Sequence, residues 1–420
     1  MFRGLSTDQA PPFEVVYRFF LLAPLFLVVA GLIIFFGDSD IVLSRHSYLS
    51  ISIIHLFTMG YMSMIMIGAS MQFLPVIIGA VYKNPIKITK IMTSSLILFL
   101  IFFVGGFLSG VNQLFFYASE TIFVAILFFV FITYTIIKAT KSDDLTSIFI
   151  KMAFILFLFG AILGVKLLSS FGNNDFAQSH FDISFAHLII MFFGWGLFFV
   201  IGVSIKVIPM FWVSSDYEKA QIKILKYLLY SLFILSIINI FVSNSYLQII
   251  ALSNLAIVLL TFSYTTFIKL KNRKRKVSDI SVELWQTSMK WLFIGAVLIL
   301  INIFVDIPSP LFAVVFGYGF IVSLTIGMLY KIIPFLSWWH SSTMLAQKGI
   351  FTVPTIRDMI ASKDLQAQKK LHYLTLLFLV VGIGVGFMLK IAGLLVIISN
   401  LYLYKNFLSA INSYKKLIDI

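Results

Sequence analysis

The chain contains no cysteine, which excludes disulfides, thiolate metal centres, CxxCH haem attachment and dithiol redox chemistry. Charge is scarce: 11% of residues are Asp, Glu, Lys or Arg, 17 acidic against 31 basic, for a formal +14 at pH 7. No P-loop, HExxH or GxSxG nucleophile elbow occurs. No polar stretch is long enough to fold a soluble catalytic domain. What fills the 420 residues instead is hydrophobic side chain, 60% of the total, against roughly half in soluble domains. The sequence is that of a polytopic membrane protein.

About 20 mostly apolar residues cross a hydrocarbon core. Twelve such runs are present, at roughly 14–37, 47–80, 88–110, 113–138, 146–170, 180–212, 220–243, 246–270, 284–307, 310–338, 371–388 and 391–411. The first is longer than a signal-peptide core and lacks a small-residue cleavage site, so it reads as a retained span. The second, sixth and tenth are the longest and exceed a core of about 30 Å, which implies tilt or protruding ends. Lys and Arg collect in alternate loops: Lys83, Lys87 and Lys90; Lys138 and Lys141; Lys219, Lys223 and Lys226; the cluster 269–276; and Lys348, Arg357, Lys363, Lys369 and Lys370. The loops 172–178, 243–246 and 306–310 carry none, and 38–46 has only Arg45. This asymmetry places both termini in the cytoplasm, with a lipid bilayer as the surrounding medium. The basic cluster reads as an inside-facing anchor rather than a nucleic-acid site. Residues 364–370 read as a short interfacial helix leading into span 11.

One spacing recurs three times without a gap. Gly60, Gly68, Gln72 and Pro75 repeat as Gly194, Gly202, Lys206 and Pro209, and again as Gly319, Gly327, Lys331 and Pro334. Such recurrence indicates related units, here of four spans each, over roughly 14–138, 146–270 and 284–411. Paired glycines eight apart lie on nearly one helix face and permit close helix approach in membranes. A proline at the inner end removes a donor where a loop or water compensates. Lys206 and Lys331 read as snorkelling toward headgroups. The expected fold is an all-α bundle of about twelve transmembrane helices in one membrane domain with pseudo-three-fold symmetry.

Twelve spans in three repeats of four, with a histidine near the outer end of span 2, resemble subunit I of the haem-copper oxidase superfamily. The chain is more similar to oxidase-subunit-I-like and NnrS-like bacterial membrane proteins. The residues carrying that resemblance are His55-Leu-Phe-Thr-Met-Gly60, Gln72-Phe-Leu-Pro75, His187 with Gly194-Trp195, Val207-Ile-Pro-Met210 and Gly327-Met-Leu-Tyr-Lys-Ile-Ile-Pro-Phe335. The likeness to true oxidases is architectural. Span 7 (221–243) and the outer half of span 10 (310–319) contain no His, and Met191, not Tyr, follows His187 by four residues. The resemblance therefore implies the fold without the oxygen-reducing centre, and a part in respiratory metal handling or nitric-oxide metabolism beside other respiratory membrane proteins.

Histidine inside a membrane is a functional candidate, and neutral imidazole is a common metal and haem-iron ligand. Aligning the repeat prolines puts His55 and His187 at nearly equal depth on equivalent helices. They are the expected ligands of a b-type haem or a metal ion, with His46 and His180 assisting; the plain alternative is a hydrogen bond to a neighbouring carbonyl or hydroxyl. Met59, Met62 and Met66 continue from His55 at helical spacing, a donor set that suits Cu(I) and equally fills an interior. Glu120 and Lys166, on adjacent antiparallel spans, read as a charge pair. His340 and His372 read as solvated imidazoles at inner helix ends. Tyr61, Trp195 and Tyr318 read as packing aromatics. A transporter for a small solute or metal, or a non-catalytic respiratory scaffold, fits the same pattern, and whether the chain is an enzyme is left open.

Overall fold

The computed structural model describes residues 9–177, 179–277, 279–350 and 354–418. Among them every regular element is helical. The long helices are α1 (Phe13–Phe36), α2 (Tyr48–Ile78), α3 (Pro85–Ser109), α4 (Gln113–Ala139), α5 (Leu145–Asn173), α6 (His180–Trp212), α7 (Lys219–Val242), α8 (Ser245–Lys271), α9 (Ile280–Ile301), α10 (Ser309–Gln347), α11 (Ser362–Gly382) and α12 (Gly386–Ile418). Eleven, all but α11, are long and apolar enough to cross a membrane. The protein is thus a multi-pass membrane protein, with one fewer qualifying helix than the twelve runs read from sequence. The cause is charge: Lys363, Asp364, Lys369 and Lys370 occupy the first half of α11. The interfacial helix expected at 364–370 is the opening of α11 itself. α12 is also longer than expected, its 33 residues equalling those of α6.

The three repeat-bearing helices are the most enclosed. In the most apolar stretches of α2, α6 and α10, 72% of residues are buried, against 33–44% in the other spans. Each also departs from α geometry at the same place. π-helical turns run over Leu56–Met62, Ile189–Leu197 and Ala313–Val322, each enclosing the first repeat glycine. A π turn accommodates an extra residue and frequently marks a functional segment.

Contacts divide the chain into two compact units, with boundaries inside α2 and α9. One includes Gln72–Val277 and Leu292–Ile307. In it α3 packs on α4, α4 on α5, α5 on α6, and α7 on both α6 and α8. Trp195 is fully buried there, stacked on Phe157 at 4.5 Å between ring centroids and flanked by Phe154 and Phe199. The other unit takes Pro11–Met71 with the described parts of 278–291 and 308–420. It pairs α1 with α12, α11 with α12, and α10 with both α11 and α12. α1 and α12 meet backbone to backbone: a Cβ on Gly393 would lie 2.7 Å from Phe35 N and 3.0 Å from Gly31 O.

The glycine pairs have one job in all three repeats. Each seats its helix on the first helix of the same repeat. Gly60 and Gly68 meet Phe26 and Phe19 of α1; Gly194 and Gly202 meet Leu156 and Phe149 of α5; Gly319 and Gly327 meet Trp291 and Leu284 of α9. A Cβ at these glycines would come within 2.5–3.3 Å of its neighbour. The partner residues are seven apart in every case, two turns of an antiparallel helix. Pro75 lies in a second π turn, Leu74–Ile78, whereas Pro209 and Pro334 are inside α-helix.

Candidate functional site

His187 and His55 fall in different units. His187 stands two residues before the π turn of α6. Its Nδ1 lies 2.9 Å from the carbonyl oxygen of Gly160 on α5. A carbonyl can only accept, so Nδ1 carries the proton and the lone pair sits on Nε2. α5 is notched to receive the ring. A Cβ on Gly164 would lie 3.0 Å from His187 Cε1, and one on Gly160 would lie 2.3 Å from Met191 Sδ. His55 is the residue immediately before the π turn of α2. Its Nδ1 donates to Ile51 O at 2.9 Å, one turn back on the same helix, and this too leaves the lone pair on Nε2. Ligating histidines are held in this way, one nitrogen tied to a carbonyl while the other binds.

The assisting residues are placed otherwise. His180 opens α6 among aromatic edges, 5.1 Å from Phe176 and 5.9 Å from Phe171 between ring centroids. Two residues on, Asp182 gathers polar groups from α7 and the start of α8: Asn239 donates at 3.0 Å, Gln248 at 3.4 Å, and the Ser243 hydroxyl also donates. His46 is exposed on the connection into α2. Partial loss of hydration, then the charge of Arg45, lowers its pKa. Met59, Met62 and Met66 are buried, and Met59 Sδ accepts from Ser63 Oγ at 3.8 Å. The π turn between His55 and Met66 rotates the helix face, so the straight stripe read at α spacing is broken. Among the described residues no three His, Asp or Glu side chains group as a metal-ion site. Glu120 and Lys166 are each exposed, and among the described residues no ion pair joins them.

Lys206 and Lys331 are ion-paired rather than merely snorkelling. Lys206 Nζ lies 3.2 Å from Asp144, and Lys331 Nζ lies 2.8 Å from Asp279. Asp144 caps α5, and Asp279 precedes α9. Burial works against ionising Asp279, but the hydrogen bond and charge of Lys331, with Ser281, outweigh it and hold the carboxyl below the usual range. Asp144 behaves alike through Ser147 and Lys206. Glu14 of α1 takes the corresponding place, five residues before Phe19 as Asp144 is before Phe149 and Asp279 before Leu284. In that repeat Gln72 replaces the lysine, and Glu14 pairs with Arg18 of its own helix. The acid is common to all three repeats, and sequence reading missed it because the loops between acid and glycine differ in length.

His340 and His372 overturn the solvated reading. His340 is half-buried, stacked on Phe13 at 5.7 Å. His372 is wholly buried, ten residues inside α11. Its Nε2 meets Ser323 Oγ at 2.7 Å, Tyr318 stacks on it at 5.1 Å, and Nδ1 has no partner. Around it lies a buried polar set. Gln368 Nε2 donates to Ser399 Oγ at 3.0 Å while its Oε1 has no partner. The Tyr318 hydroxyl approaches Ser399, Thr375 and Asn400 without a well-formed hydrogen bond. Nearby, Asn406 Nδ2 donates to the Tyr330 hydroxyl at 2.8 Å, and the Tyr61 and Thr325 hydroxyls meet at 2.7 Å.

No protein-family model matches the chain, and no curated protein matches it significantly.

Proposed function

We propose that this is a haem-binding protein of a bacterial inner membrane, built on a pseudo-three-fold, oxidase-subunit-I-like bundle with both termini cytoplasmic, and acting with respiratory membrane proteins in metal handling or nitric-oxide metabolism. His187 would hold the haem iron through its imidazole in its unit, and His55 would do so in its own. The observation that carries this reading is the shared tautomer: both rings give Nδ1–H to a carbonyl at 2.9 Å and present the lone pair at Nε2. Such a partner fixes the ring and raises its basicity as a ligand. Bound haem would supply one-electron or diatomic-gas chemistry. Haem is preferred to copper because the π turn over Leu56–Met62 interrupts the α spacing on which a His–Met donor stripe depends. The alternating basic loops support the orientation.

The test is the visible spectrum of the purified protein, with haem and metal analysis. A Soret band diminished in His187→Ala and in His55→Ala is the expected result. A colourless protein with no haem overturns the reading, and solute uptake into vesicles by that protein would assign it to transport.

A further inference from the structure

The buried histidine of α11 has no part in the haem reading, and it ends a line of polar groups that begins at the surface. Asp364, Gln368, His372 and Thr375 are spaced four, four and three residues apart, which is one face of a helix. The line is faced by α12 in antiparallel order: Tyr402 donates to Asp364 at 2.6 Å, Ser399 meets Gln368, and Thr375 reaches Leu395 O at 3.4 Å. Asp364 lies in the first turn of α11 and is partly exposed, whereas Gln368, His372 and Thr375 are fully buried. Two atoms on this face, Gln368 Oε1 and His372 Nδ1, have no partner. A buried polar atom left so costs about 1–3 kcal/mol, and ordered water or a bound ion is the usual remedy. The two orphans lie one turn apart on a face that opens at a carboxylate.

We propose that the Asp364–Gln368–His372 face of α11 is a proton-access path, in which ordered water lets His372 take up a proton from the Asp364 end of the helix. The path covers about 12 Å along the helix, eight residues at about 1.5 Å each. Ser323 Oγ and Nε2 lie 2.7 Å apart; in the proposed path the hydroxyl accepts from Nε2–H, so that Nδ1 keeps a lone pair. The step moves one proton from hydronium in the bulk water at the Asp364 end to Nδ1, leaving neutral water there and an imidazolium at His372; no other bond changes and no electron is transferred. The titratable rings touching His372 are Tyr318 of α10 and Tyr373 of α11. Among the charged groups nearby, Lys369 is tied to Glu283 at 2.6 Å and Asp364 to Tyr402. No carboxylate touches the ring among the described residues, so the charge is held only briefly.

Exchange of the imidazole Cε1 hydrogen for deuterium, read residue by residue by mass spectrometry, tests this on the full-length protein. That exchange proceeds through the imidazolium and needs water, so it reports proton and water access together. His372 of the wild type should exchange measurably although its surface is covered. Gln368→Leu should slow it at least about tenfold, the scale of one lost polar solvation step, and Asp364→Asn should slow it several-fold. The exposed His46 and the membrane-embedded His187 should be unchanged in both variants. If Gln368→Leu loosens the fold, His187 accelerates too, and Asp364→Asn at the partly exposed helix start then decides. The proposal is overturned if wild-type His372 does not exchange while His46 exchanges completely, or if Asp364→Asn leaves the rate unaltered.

Discussion

Adding one methyl group to Gly393 should weaken this protein, and adding the same group to Gly105 should not. On α12 the new Cβ would lie 2.7 Å from Phe35 N and 3.0 Å from Gly31 O. Both are backbone atoms of α1, and no rotamer change relieves them. The approach is 0.7 Å short of ordinary contact at 3.4 Å, so the two helices must part along their length. Overpacking of this kind costs about 1–3 kcal/mol. Against it stands a helix-propensity gain of up to about 1 kcal/mol, reduced in a bilayer because the unfolded reference keeps its helices. Gly393→Ala should therefore lose about 1–2 kcal/mol, a shift of roughly 5–30-fold in the folded ratio. At Gly105 on α3 the new atom meets only Leu114 Cδ1 at 3.5 Å, and the change should lie between neutral and about 1 kcal/mol stabilising. Reversible unfolding in mixed micelles, followed by tryptophan fluorescence, measures both. Gly31→Ala, whose Cβ would meet Gly393 O at 2.9 Å, should combine with Gly393→Ala less than additively, since helices already parted accept the second methyl cheaply. Equal effects at Gly393 and Gly105, or a Gly393→Ala protein as stable as wild type, would refute this account of the α1–α12 contact.

Two further expectations concern the inner ion pairs and the His187 notch. Asp279 has a folded pKa below its unfolded value of about 3.9, so its contribution is complete above about pH 5 and disappears as pH falls through the folded value. Asp279→Asn should cost at most about 1 kcal/mol at pH 7, as expected of a partly exposed pair, and should flatten the stability profile between pH 5 and 3 in the same unfolding assay. Gly164→Ala leaves the imidazole of His187 in place but sets a Cβ 3.0 Å from its Cε1. It should weaken haem retention about 10–100-fold, the range for disturbing a ligand's support, in a haem titration followed at the Soret band; unchanged retention would mean that the notch does not aim the ring.

The architecture was largely legible because lipid tolerates few solutions: apolar length, loop charge and the glycine spacing led to the multi-helix membrane reading. α11 was misjudged because burial against α10 and α12, not apolarity, holds its polar half in place, and single-chain hydropathy contains no information on neighbours. His372 was misread for the same reason, its depth having been inferred from the start of an apolar run rather than from the helix, which begins at Ser362. The methionine stripe turns on a subtler point. Counting by α periodicity presumes an unbroken α-helix, and Leu56–Met62 is not one. The Lys–Asp pairs were hidden by unequal loop lengths, although each lysine and its acid were in plain sight.

The π turns have a bearing on how such a chain can change over time. The glycine and proline marks keep constant intervals toward one end of each helix, whereas the π segments span 7, 9 and 10 residues. A wide turn is a place where a codon can be gained or lost while the downstream contacts hold their places. Each such event swings everything upstream around the axis by about a quarter turn or more, at 3.6 residues per turn. His55 and His187 lie on that upstream side, five and seven residues before their glycines. An ancestral helix could thus redirect its imidazole by an indel alone, with no substitution at the histidine.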